Sequence, residues 1–124
     1  MLARYPARHL RRVGDEFVAP SPEAAAAVVE GSDVESGRGE FDFAYEINRE
    51  TTSADEYPIV LVSYLIGCVE YDDQEKADLV KAFVQYVISE EGQQAAADSA
   101  KSAPLSSTLA EKATAAIDSI KVKS

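Results

Sequence analysis

A chain of 124 residues, 46% of them hydrophobic, suits one domain with a core of its own, and it carries a formal net charge of −10. The charge is uneven: Arg4, Arg8, Arg11 and Arg12 put +4 on the first 12 residues, whereas the remainder holds 22 acids against 8 bases, a net −14. That balance argues against nucleic acid and anionic membrane as partners, but not against an anionic ligand, because backbone N–H groups and helix N-termini hold anions whatever the net charge.

Taken in chain order, Met1 to Val13 is basic and reads as disordered. It resembles the start of a secretion signal, yet Val13-Gly14-Asp15-Glu16 follows where an apolar stretch would have to be, so no export signal is expected and translation from Met1 would leave the chain in the cytoplasm. Ser21 caps a helix with Pro22 at its first position and Glu23 placed favourably against the dipole. The helix runs through Ala24 to Val29 and stops near Gly31. Gly31 to Glu40 is a polar connection with the composition of a mobile surface loop, and Phe41 to Ile47 alternates as a half-buried strand does.

Pro58 marks the entry to Ile59–Tyr64, an aliphatic and β-branched run of the kind found in strands covered on both faces. It extends to Tyr71 with a break near Ser63 or Gly67. From Ile59 to Val69 it is shorter than the ~18–20 residues a membrane helix needs. Cys68 and His9 are each the sole residue of their kind, which excludes a disulfide within the chain, a tetrahedral zinc site and a Cys/His catalytic pair. Leu65-Ile66-Gly67-Cys68 has the form of a lipoprotein cleavage site, but it lies in mid-chain, so Cys68 reads as a buried strand residue.

Asp72 or Asp73 caps the next helix, whose Ala77, Val80, Phe83, Val84, Val87 and Ile88 form a stripe that packs on a sheet. A short helix runs from Glu90 to about Ala97. After a loop over Lys101 to Leu105, a last helix opens near Ser107, with Thr108 to Glu111 as a capping box and Leu109, Ala113, Ala116, Ile117 and Ile120 on its buried side. The acid pairs Asp72-Asp73 and Glu90-Glu91 sit where helix starts favour carboxylates, and neither has a His, Cys or Lys partner at suggestive spacing. Neither has the alternating acids and central glycine of a calcium loop. Tyr45, Tyr57, Tyr64, Tyr71 and Tyr86 could stack on a ligand but read as strand and core aromatics. The expectation is a chain with no enzymatic activity, no catalytic or metal-binding residue and no cofactor.

The segment from Tyr57 to Leu105 combines Y-P-I-V-L-V-S-Y-L-I-G-C-V-E-Y, a long amphipathic stretch, S-E-E-G-Q-Q-A-A-A and S-A-P-L. It resembles the C-terminal end of the phosphate-binding subunit of bacterial phosphate ABC importers, a type II solute-binding protein, in the version found on high-GC Gram-positive cells. The likeness runs from Phe17-Val18-Ala19-Pro20-Ser21 to about Lys121. It implies an α/β chain with a truncated, partial type II solute-binding-protein fold, helices packed on an incomplete sheet. Residues 14–56 would close the second lobe, and residues 57–124 would return to the first lobe as a strand and three helices.

The family grips phosphate with a Ser-Gly-Thr run, an arginine and an aspartate in portions that this likeness does not cover. Ser36-Gly37-Arg38 is the nearest counterpart and reads as a solvated turn, so no phosphate ligand is assigned within the chain. Tyr57, Pro58, Ile59 and Val60 would be hinge material. For the intact parent the resemblance implies inorganic phosphate and the ABC permease as partners, a lipid anchor as the membrane attachment, and a place at the cell surface or in the periplasm. Two alternatives stand beside it: an independent interaction or dimerisation module, and a fragment of a receptor for another oxyanion such as sulfate or molybdate. An apolar run without sheet neighbours should also leave the isolated chain poorly stable and prone to associate.

Overall fold

The computed structural model describes residues 10–123. It is a mixed α/β structure of four helices and short two-stranded sheets, divided into two compact units, Met1–Leu61 and Val62–Ser124.

The first unit opens with a hairpin of β1 (Arg11–Val13) and β2 (Glu16–Val18), paired antiparallel with Arg12 opposite Phe17. Gly14 makes the turn possible: its φ of 58° is a conformation that favours glycine, and the Arg12 Nε donates to its carbonyl at 3.1 Å. The disorder expected of Met1 to Val13 is therefore corrected for residues 11–13, where local turn chemistry outweighs the density of positive charge. Residues 1–9 lie outside the described residues.

Helix α1 (Pro22–Glu30) forms for the reasons its sequence states. The Ser21 hydroxyl accepts from the Ala24 N–H at 3.1 Å, Pro22 occupies the first turn, and the Gly31 N–H closes the helix on Ala27 and Val29. Backbone hydrogen bonding, then the Ser21 hydroxyl, hold the Glu23 carboxyl below the usual range. Ala24 and Val28 are buried, and the Ala24 carbonyl accepts from the N–H of buried Tyr57 at 3.0 Å. The connection after α1 contains β3 (Asp33–Val34), which pairs antiparallel with β4 (Tyr45–Glu46). Of the alternating stretch Phe41 to Ile47, only β4 is a strand.

In the second unit β5 (Glu70–Tyr71) and β6 (Lys121–Val122) run parallel, with Glu70 opposite Lys121 and Tyr71 opposite Val122. Three helices connect them: α2 (Gln74–Ile88), α3 (Glu90–Ala100) and α4 (Ser107–Asp118). Asp73 is the cap of α2, its carboxylate accepting from Glu75 N–H at 2.7 Å and Lys76 N–H at 3.2 Å. Ser89 serves two helices at once: its N–H ends α2 on the Tyr86 carbonyl, and its hydroxyl accepts from the Gly92 N–H at 3.1 Å to start α3. α3 runs to Ala100, three residues past its expected end, and stops at Lys101 in the left-handed conformation. α4 opens at Ser107 as expected, but its cap is Ser106, which accepts from the Leu109 N–H at 3.3 Å, rather than the box expected over Thr108 to Glu111. Ala77, Ile117 and Ile120 form the buried centre, where α2 meets α4.

Two expectations are corrected in the apolar stretch and on α2. No strand lies between residues 56 and 68; Leu61 is 92% exposed, Ile66 is 96% exposed, and Cys68 is exposed rather than buried. A strand needs a ladder partner, and the adjoining β5–β6 pair engages only Glu70 and Tyr71. Phe83, placed in the buried stripe of α2 by its spacing, is also exposed, at 58%. α2 meets α3, α4 and the β5–β6 pair, and its buried residue is Ala77.

Candidate interaction surface

The most distinctive surface belongs to α2. Besides the covered side built on Ala77, the helix has a second apolar stripe, Leu79, Phe83 and Tyr86, at i, i+4 and i+7. These three are 70%, 58% and 50% exposed. A helix that is apolar on two sides is ordinarily covered on both. In the same unit Tyr64, Leu65, Ile66 and Val69 are exposed as well. The sequence reading assigned Phe83 and Tyr86 to the core and passed over Leu79, although the spacing of the three was present in the sequence; all three are exposed.

A recess of 410 Å³ lies between the start of α3, the loop through Pro104 and Leu105, and the first turns of α4. Gln93 holds its wall: its Nε2 donates to the Val87 carbonyl at 2.8 Å and its Oε1 accepts from the Leu105 N–H at 2.8 Å. Both ends of that amide are committed. Glu90 is the charged group at the rim, so the recess offers apolar wall and a carboxylate, which suits an apolar group better than an anion.

The residues singled out from the sequence fall as follows. Tyr57 and Pro58 are buried in the first unit, Ile59 is exposed and Val60 is half-buried. The Arg49 guanidinium donates to the Pro58 carbonyl at 2.6 Å and to the Val60 carbonyl at 3.3 Å, which ties this stretch to its own unit, and the division between units follows at Leu61. Ser36-Gly37-Arg38 is an exposed turn. The Arg38 guanidinium lies 2.9 Å from the Asp42 carboxylate and 3.1 Å from that of Glu35, and the Asp42 bond and charge foremost, with Glu35, raise its pKa. An arginine already held by two carboxylates is poorly placed to take an external anion.

Asp73 is committed to its cap, and Asp72 pairs with Lys123 at 2.7 Å. Glu90 and Glu91 occupy the first turn of α3. The Tyr71 hydroxyl accepts from the Cys68 N–H at 3.1 Å, and Tyr86 stands on the exposed stripe. Among the described residues no group of three or more His, Cys, Asp or Glu is arranged to hold a metal ion, and no helix is long and apolar enough to cross a membrane.

No family model matches this chain, and no curated protein and no solved structure matches it.

Proposed function

We propose that the chain is a C-terminal part of the phosphate-binding receptor of a phosphate ABC importer, with a partial type II solute-binding-protein fold, no phosphate ligands of its own and no catalytic role. In this reading the intact parent captures inorganic phosphate outside the membrane, to which a lipid anchor holds it, and delivers the ion to the permease. The observation that carries the reading is the stretch from Ile59 to Val69. It has the composition of a strand covered on both faces, yet it has no ladder partner up to residue 68, and Leu61 and Ile66 are almost wholly exposed. Such a segment is suited to sheet neighbours supplied from outside this chain. The parallel β5–β6 pair joined through helices supports the same reading, because a parallel crossover is the unit from which α/β sheets are extended.

The test is calorimetric titration of inorganic phosphate into the chain alone and into its mixture with the N-terminal two thirds of a phosphate-binding receptor of this type. The expected result is no binding to the chain alone, with binding restored in the mixture. Failure of the two parts to combine, or phosphate binding by this chain alone, would overturn it.

A second reading, an interaction module, is favoured by one observation: the exposed stripe of Leu79, Phe83 and Tyr86, which lies apart from the unpaired run in sequence.

A further inference from the structure

We propose that Arg49 is a gatekeeper: by holding the Pro58 and Val60 carbonyls it keeps the apolar run of this chain from pairing, strand against strand, with the same run of a second copy. The inference does not depend on the phosphate reading, since it concerns the association of this chain with itself. Residues 57–69 carry no charge, and residues 59–66, Ile-Val-Leu-Val-Ser-Tyr-Leu-Ile, contain no proline or glycine either. Uncharged stretches of about six or seven such residues stack readily into ladders between chains when their backbone is open. This one is open: it forms no ladder up to residue 68, and Ile59, Leu61, Tyr64, Leu65 and Ile66 are exposed. The nearest charges along the chain, Glu56 and Glu70, lie outside it.

Arg49 reaches the run from nine residues away. Its Nη1 donates to the Pro58 carbonyl at 2.6 Å and its Nη2 to the Val60 carbonyl at 3.3 Å. In a strand the N–H and C=O of one residue share an edge with those of the residue two positions on, so a neighbouring strand would need both of these carbonyls. Pro58 brings no N–H to that edge, which leaves it the Val60 N–H. The Tyr57 N–H is committed as well, to the Ala24 carbonyl at 3.0 Å, so the entry of the run is fixed to its own unit by two separate contacts. A second copy can pair there only by displacing the guanidinium. Were the guanidinium to stay, in-register copies about 4.8 Å apart would set Arg49 beside Arg49. Open strand edges are commonly protected by charged side chains and proline, and here the charge is supplied by a residue outside the run. A charged donor shared between two carbonyls is strong enough that its loss raises the population of the released entry about tenfold.

Thioflavin fluorescence and sedimentation of the full chain, followed over time at one concentration, test the proposal. Arg49→Met, similar in length and uncharged, should shorten the lag before β-rich assemblies appear about tenfold relative to the wild type. Arg49→Lys, which keeps the charge but lacks the fork that spans two carbonyls, should fall between them. Two further variants separate the gatekeeper from a general loss of stability. Ser32→Ala breaks a buried hydrogen bond in the same unit and leaves Arg49 in place, so its lag should stay close to that of the wild type. Adding Leu61→Lys to Arg49→Met puts a charge within the run and should restore the long lag. Equal lags for the wild type and Arg49→Met would overturn the proposal. So would a lag for Ser32→Ala as short as that of Arg49→Met, or assembly that survives the added Leu61→Lys.

Discussion

Ser32 joins two stretches of the first unit through one buried hydroxyl. Its Oγ donates to the Val28 carbonyl at 2.5 Å, in the last turn of α1, and accepts from the Asn48 N–H at 3.0 Å, just beyond β4. Removing it would leave the Asn48 N–H without its acceptor and the Val28 carbonyl without a donor. Ser32→Ala is expected to destabilise the chain by about 1–3 kcal/mol, read as a lower urea midpoint at unchanged slope. An unchanged midpoint would mean that water replaces the hydroxyl. Nothing in the sequence pointed to Ser32, which read as part of a polar connection, because a bond across sixteen positions has no local or periodic signature. Arg49, tied to Pro58 and Val60, was silent for the same reason. By contrast, the roles of Ser21 and Asp73 were legible, since a cap acts on N–H groups two or three residues away.

At the scale of elements the same divide holds between helices and strands. All four helices were visible from caps and spacing, because a helix satisfies its own backbone. The strand read from Ile59 to Tyr64 did not form, because a ladder depends on a partner that composition cannot supply. The exposed stripe of α2 was not legible: spacing was read as one buried stripe that took in Phe83, because periodicity does not say which side of a helix its neighbours cover. Gly92 offers a direct test of the junction between α2 and α3. Propensity alone says that alanine in its place should stabilise a helix by roughly 1 kcal/mol. Here a Cβ at Gly92 would run into the Tyr86 carbonyl oxygen, at the close turn made by Ser89. Gly92→Ala is therefore expected to force that turn open and to cost about 1–3 kcal/mol, seen as a lower thermal midpoint. A raised midpoint would show that α3 begins farther from α2 than this packing requires.

For the whole molecule, the question is whether the apolar run between the two units stays unpaired in solution. Up to residue 68 its backbone makes no ladder, and its leucines and tyrosine are exposed to attack. Each flanking unit, in contrast, has a helix that ties up its backbone, α1 on one side and α2 on the other. Proteases cut where a segment can leave its contacts at little cost, and a stretch with few backbone hydrogen bonds meets that condition. Brief digestion with chymotrypsin should therefore cut first after Leu61, Tyr64 or Leu65, before the tyrosines at 45, 57 and 71, and mass spectrometry should recover two fragments close to the observed units. The outcome separates two physical states. If the run pairs as a strand, within the chain or through association, its backbone is engaged and these bonds resist while the turn around Gly37 and Phe41 yields first. Early cleavage at residues 61–65 would instead mean that the helices fold without the run, which is then free to enter a sheet contributed by another polypeptide.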